Sequence, residues 1–215
     1  MGGTPKQFLL LGGSTILVRT LDTFERHPRI DSLVVAVHPD SVEGFADALR
    51  HEGIHKTLEV VAGGSSRQES VAAALDVLPD SVNIVLVHDA VRPFLPSDRI
   101  TAVIDAVREH GAAALAIPLT DTLRRGANGI FGRSMDRSEL YCMQTPQGFR
   151  RDWFEEAHER ARQEGYSATD DVALVERLGR EVRMVEGTST NIKITTPADW
   201  ALAKALWESE QAEIS

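Results

Sequence analysis

Short apolar runs alternate with amphipathic stretches along most of this chain. Residues 33–37, 58–61, 84–87 and 112–117 are brief, β-branched or small, and bounded by turn formers, as expected of buried strands. Between them apolar residues recur at helical spacing. Ile16, Leu17, Thr20, Leu21 and Phe24 form one such face, with Pro28 as a stop signal. Val42, Phe45, Ala46 and Leu49 form a second, Val71, Ala74, Leu75 and Leu78 a third, and Ile100, Val103, Ile104 and Val107 a fourth. This alternation predicts βαβ units, hence an α/β fold with a doubly wound, mainly parallel sheet and helices on both faces. The rhythm breaks between Asp121 and Tyr141, where Gly126, Asn128, Gly129 and Gly132 predict a β-hairpin arm, assigned here to residues 121–143. Helices are expected at about 152–164 and 170–178, strands at 182–185 and 191–194, and a closing helix from Pro197. The economical reading is a single domain over residues 1–215 with one projecting arm.

Composition narrows the function classes. The 215 residues are 42% hydrophobic and 26% charged, enough for a proper core, with a formal net charge of −9. An acidic chain without a long Lys/Arg cluster predicts no nucleic-acid partner, although a few cations focused in a cleft can bind a phosphorylated small molecule. Cys142 is the only cysteine, which excludes an internal disulfide and a cysteine-cluster metal site. No apolar stretch approaches the ~18 residues of a membrane span. No membrane association is expected, and the protein is read as cytoplasmic.

Ligands of open α/β sheets bind at the carboxyl ends of strands, so polar residues there carry the chemistry. One such end reads His88-Asp89-Ala90-Val91-Arg92-Pro93. Asp89 there suits Mg²⁺ or a ribose hydroxyl and Arg92 suits a phosphate; the alternative is a turn cap with a surface ion pair. In Gly63-Gly64-Ser65-Ser66-Arg67-Gln68-Glu69-Ser70, Ser66 and Glu69 fit a capping box, while the glycines also admit a ligand close to the backbone. Thr196, Pro197 and Asp199 read as N-cap, N1 and N3 of the last helix. Lys193 is either a solvated strand lysine or part of a site. The seven histidines lack metal-ligand spacing, and neither G-x-S-x-G nor H-E-x-x-H occurs, which disfavours hydrolase and zinc-enzyme readings.

Taken in order, these pieces resemble the 2-C-methyl-D-erythritol 4-phosphate cytidylyltransferase family. The matching residues are Pro5-Lys6-Gln7-Phe8, Gly63-Gly64 with Arg67 and Ser70, His88-Asp89-Ala90 with Arg92-Pro93, and Asp121-Thr122. They continue with Asp136-Arg137, Gln144-Thr145-Pro146-Gln147, Thr169-Asp170 and Asn191-Ile192-Lys193. The resemblance implies a Rossmann-like nucleotidyltransferase that moves CMP from CTP onto the phosphate of 2-C-methyl-D-erythritol 4-phosphate, with release of pyrophosphate and a need for Mg²⁺. It implies that Lys6 stabilises the pentavalent phosphate and that Arg137 and Lys193 hold the acceptor phosphate. Asp89 is implied beside the metal and ribose, and Gly64, Ser65, Ser70 and Ala90 around the cytidine, with Arg67 in the same nucleotide-binding set. Thr122, Arg92, Thr145 and Thr169 are implied as acceptor-side or supporting residues. The arm is implied to exchange between the subunits of a homodimer, so that Thr122 and Arg137 serve the partner's pocket.

The family pattern also places an apolar strand and A-A-G-x-G-x-R-M-G ahead of P-K-Q. Met1-Gly2-Gly3-Thr4-Pro5-Lys6-Gln7 is therefore expected to be the second half of a phosphate-binding loop. Its first half, with an arginine that also stabilises the transition state, and a central strand are expected upstream. Without that strand the chain is expected to fold poorly and turn over little CTP. Two rivals are ribitol-5-phosphate cytidylyltransferase, which shares most of these motifs, and a nucleotide-binding subunit without activity.

Overall fold

Most of the apolar runs become strands, and the largest sheet they form is shielded by helices on both faces. The computed structural model describes residues 5–214. Met1–Thr4 of the expected phosphate loop, and anything expected ahead of it, lie outside the described residues. The elements are β1 (Leu10–Leu11), β2 (Ser14–Thr15), α1 (Ile16–Glu25), β3 (Leu33–Val37), α2 (Phe45–His51), β4 (Thr57–Ala62) and α3 (Arg67–Leu75). They continue with β5 (Ile84–Val87), α4 (Ser97–His110), β6 (Ala112–Pro118), β7 (Leu123–Ala127), β8 (Ile130–Met135) and β9 (Tyr141–Arg150). The last are α5 (Arg151–Glu164), α6 (Asp171–Glu176), β10 (Arg183–Glu186) and α7 (Pro197–Ile214).

Among the described residues the strands are not one mainly parallel sheet. The largest sheet has four strands in the order β10-β6-β9-β5, and β3 pairs with β4 in a separate parallel ladder. β10 runs parallel to β6, but β9 is antiparallel to both β6 and β5. Connectivity explains the reversal. β6 leads out into the arm and β9 returns beside it, and strands joined in that hairpin-like way must be antiparallel. The periodicity gave no hint of β9 because Pro146 and three polar residues interrupt its apolar pattern. The ladder with β6 slips between Ala114 and Ala116, so residues 144–146 bulge away from regular pairing where a proline could not donate. Gln144, Thr145 and Gln147 are nevertheless buried.

Alternation across the sheet assigns the helices. Ala112, Ala114, Val85 and Val87 face Phe154, Ala157 and Ala161 of α5 and Leu174 and Val175 of α6. Ala113, Leu115, Ile84 and Leu86 face Ile100, Val103, Ile104 and Val107 of α4. The predicted face of α1 is shared: Phe24 packs on that second core, while Leu17 and Leu21 pack with Val35, Val37 and Val60. α1 thus joins the β3–β4 ladder to the larger sheet.

The arm forms as expected over β7 and β8, with Asn128 and Gly129 both at positive φ, 50° and 77°. That is the two-residue hairpin geometry that Asn-Gly favours. Its base is shorter than expected, because residues 141–143 already belong to β9. The strand expected at 191–194 does not form; Ile194 buries fully and its N–H bonds to the carbonyl of Val91 at 3.0 Å, with no ladder. The segment is held instead to the turn that follows β5.

Candidate active site

Asp89 sits just past the carboxyl end of β5 and collects three cations. Its Oδ2 lies 3.1 Å from both Arg92 Nε and Lys193 Nζ, and its Oδ1 lies 3.4 Å from Arg67 Nε. Arg67 NH1 is in turn 2.7 Å from Asp171 Oδ2. Three cations against two carboxylates leave an excess of one positive charge, in a chain of net charge −9. Burial opposes ionisation of Asp89, but Lys193, Arg67 and Arg92 outweigh it and hold the carboxyl below its ordinary range. The alternative of a surface Asp89–Arg92 pair is corrected: both side chains are only 10% exposed, because residues 188–194 fold over them.

Local sequence explains how each group arrives. The Asp89 N–H donates to Thr145 Oγ1 at 3.1 Å, so the β9 bulge fixes the strand end. Thr145 is therefore a buried support, and its hydroxyl also pairs with His88 Nδ1 at 3.0 Å. Arg92 donates through NH1 to the Asn191 carbonyl at 2.7 Å. The Asn191 side-chain amide donates to the Thr145 carbonyl at 2.9 Å and to Gln144 Oε1 at 3.2 Å, and Gln144 donates to the Thr188 carbonyl at 2.8 Å. These buried amides pin the loop that carries Lys193, which stays 44% exposed and is no solvated strand lysine. Lys6 Nζ donates to the Thr195 carbonyl, which brings a fourth cation to the same loop.

The loop before α3 follows its sequence closely. Ser66 caps the helix by accepting from the Glu69 N–H at 3.1 Å, and Ser70 Oγ accepts from the Gly64 N–H at 3.1 Å. The Glu69 carboxylate reaches back in turn: it takes chiefly the N–H and hydroxyl of Ser65, with a smaller contribution from the Ser66 N–H that a capping box expects. A Cβ on Gly64 would stand 2.3 Å from the Glu69 Cβ, so packing alone requires glycine there. Ala90 is exposed beside Asp89, and its carbonyl accepts from Thr20 Oγ1 at 3.1 Å. At the last helix Thr196 accepts from the Asp199 N–H at 3.2 Å, as predicted for a cap.

Thr122 and Arg137 stand apart from this cluster, exposed at the base of the arm. Thr169 is exposed just before the start of α6. Asp171 is not among the residues singled out by the sequence motifs, and His88, Gln144, Gln147 and Asn191 lie within those motifs without a role assigned by them. The signal for Asp171 was its place in Thr169-Asp170-Asp171, an acidic pair at a helix start where one residue suffices as cap. Burial drives the His88 imidazole down to about 4, so it is neutral near pH 7.

A profile of the 2-C-methyl-D-erythritol 4-phosphate cytidylyltransferase family matches residues 1–209. The chain belongs to this family. A cytidylyltransferase of that name from Salinibacter ruber is 53% identical over 207 residues, which cover 96% of this chain and 87% of the relative. One from Geobacillus kaustophilus is 43% identical, covering 98% and 92%. The crystal structure of the Thermus thermophilus cytidylyltransferase superposes with a TM-score of 0.83 at 38% identity, covering 95% of this chain and 94% of that one. The α/β architecture with mixed strand directions matches that of the Thermus thermophilus cytidylyltransferase, and the expected doubly wound, mainly parallel sheet is not found among the described residues.

Proposed function

We infer that this enzyme transfers CMP from CTP to 2-C-methyl-D-erythritol 4-phosphate, giving 4-diphosphocytidyl-2-C-methyl-D-erythritol and pyrophosphate. The observation that carries the reading is the Asp89 cluster, set in a chain of this family: Arg67, Arg92 and Lys193 around one carboxylate, with Lys6 on the adjoining loop. The attacking group is a phosphate oxygen, ionised near neutral pH, so no general base is needed. The reaction instead needs two anions held in line and the charge developing on the α-phosphate neutralised. Lys6 is assigned to that charge, and Lys193 to the acceptor phosphate. Gly64, Ser65, Ser70 and Ala90 are assigned to the cytidine side.

Mg²⁺ belongs to this reading. Among the described residues no group of three or more carboxylate, histidine or cysteine side chains is placed to hold a metal. A single carboxylate suits Mg²⁺ when substrate phosphates and water supply its other ligands. Asp89 would hold the ion, which when bound neutralises charge on the triphosphate.

A homodimer through the arm completes the proposal. Ile130 and Phe131 at its tip are 74% and 82% exposed, an apolar pair that a second copy would cover. Arg137 and Thr122 would then reach the partner's pocket. A cytoplasmic location is supported by the single, exposed Cys142 and by the lack of any described helix long and apolar enough to cross a membrane.

The test is product identity. With CTP and Mg²⁺, methylerythritol phosphate should yield pyrophosphate and a nucleotide diphosphate ester visible by ³¹P NMR, far faster than ribitol 5-phosphate does. Equal or faster use of ribitol 5-phosphate overturns the acceptor assignment.

A further inference from the structure

Arg67 is shared between two carboxylates that meet different nitrogens of its guanidinium. NH1 meets Asp171 Oδ2 at 2.7 Å, and Nε meets Asp89 Oδ1 at 3.4 Å. Asp171 is 1% exposed and is the first residue of α6. Asp170 already caps that helix by accepting from the Ala173 N–H at 3.1 Å, so helix initiation does not need a second acid. The Asp171 N–H is taken by Gln147 Oε1 at 3.0 Å, which ties its backbone to β9 next to the bulge. On the α3 side, Gln68 clamps the same segment through the Tyr166 carbonyl at 3.1 Å and the Ala168 N–H at 3.0 Å. The two helices are thus already joined by an uncharged clamp.

A buried carboxylate is a costly way to repeat that joint. Burial pushes the Asp171 carboxyl upward, Arg67 opposes this, and the neighbouring Asp170 and Asp89 add to the rise. What the acid adds is direction. Asp171 Oδ2 meets NH1 as a close ion pair without hydrogen-bond alignment. A guanidinium is a rigid planar fork, so holding NH1 there by charge leaves the Nε edge turned to Asp89. That edge faces the Asp89 carboxylate, whose other oxygen is held by Arg92 and Lys193.

We propose that Asp171 is a positioning residue of the active site, which acts through Arg67 to set the orientation of the Asp89 carboxylate for the nucleotide. The proposal rests on the reading of Asp89 as part of the CTP site. It assigns no contact between Asp171 and substrate. It also explains why a helix start far from β5 in the sequence, yet packed against it, carries two acids.

The test is a double-mutant cycle read by calorimetric CTP binding in the presence of Mg²⁺, alongside kcat and KM. Asp171→Asn should weaken CTP binding about tenfold, and Arg67→Met should weaken it at least as much. The double variant Arg67→Met/Asp171→Asn should bind no worse than Arg67→Met alone. A third protein, Arg67→Met/Asp171→Leu, removes the buried charge altogether and should melt close to the unsubstituted protein, since apolar replacement of a buried pair is often neutral. Its CTP affinity should stay low. If it regains full affinity, the pair is only structural and the proposal fails. Unchanged affinity in Asp171→Asn, or losses that multiply in the double variant, overturn it as well. An unsubstituted protein that binds no CTP would instead sink the underlying reading of the Asp89 site, and the proposal with it.

Discussion

Lys193 Nζ lies 3.1 Å from Asp89 Oδ2, joining a loop near the end of the chain to the carboxyl end of β5. The contact is made possible by the buried amides of Gln144 and Asn191, which hold that loop against the β9 bulge. Lys193 is in this way placed by packing before any ligand arrives, as electrostatic preorganisation requires.

Asp89 should matter for stability as well as for chemistry. Replacing it by Asn leaves Arg92, itself 10% exposed, beside Arg67 and Lys193 without the shared counter-charge. Breaking a buried pair from one side costs roughly 3 kcal/mol, here moderated by the partial exposure of Arg67 and Lys193. Urea unfolding of Asp89→Asn should show a loss of about 2–3 kcal/mol with an unchanged slope. An unaltered midpoint would contradict the cluster as drawn.

Asn191 should be nearly as sensitive although it is fully buried. Asn191→Leu removes donors to the Thr145 carbonyl and Gln144 Oε1. Unsatisfied buried acceptors cost about 1–3 kcal/mol, and the loop carrying Lys193 loosens. Thermal unfolding should fall in temperature, and kcat should fall together with it. Normal kcat in a destabilised variant would show that the loop does not depend on this amide.

These two residues also mark what could be read before folding. Strands such as β3 and β5 and helices α1 and α4 were legible because continuous or 3.6-residue apolar patterns report burial directly. β9 was not, because Pro146 and the polar Gln144, Thr145 and Gln147 are buried by hydrogen bonding, to which hydropathy is blind. Asp89, Arg67, Arg92 and Lys193 were each named from motifs, but only folding brings residues from β5, α3 and the 188–195 loop to one carboxylate. Asp171 escaped because a second acid at a helix start looks like a dipole preference, and its partner Arg67 is assigned by tertiary packing.

Two neutral histidines should make stability depend on pH. Burial holds both His88 and His158 at about 4, against 6.5 for the unfolded side chain; at His158 nearby Arg67 adds to the effect. The unfolded chain therefore binds more protons between about pH 4 and 6.5, so stability is fully present above 6.5 and is lost as pH falls toward 4. At 1.36 kcal/mol per unit the loss is on the order of 3 kcal/mol for each histidine. Asp171, raised by burial, shifts stability the opposite way as its own range is crossed. Denaturant midpoints from pH 7 to 4 should decline, and His158→Phe should flatten the decline. A flat profile in the unsubstituted protein would contradict the neutral, buried assignment.

The arm gives a prediction about subunits. Arg137→Ala should lower activity about 100-fold or more, with little change in melting temperature, because Arg137 is exposed. Mixed and refolded with Lys193→Ala protein, it should recover up to about a quarter of normal activity, since half the dimers are mixed and each contains one intact site. No recovery, with mixed dimers demonstrated, would place Arg137 outside the partner's pocket.

In the proposed reaction Lys193, paired with Asp89, holds the acceptor phosphate in line for attack during CMP transfer. Steady-state pyrophosphate release from CTP and methylerythritol phosphate by Lys193→Met, relative to the unsubstituted protein, tests it most directly. The expected result is a fall in kcat of about 100- to 1,000-fold with the fold intact by circular dichroism. A folded Lys193→Met protein with kcat within about threefold of the unsubstituted one would contradict it.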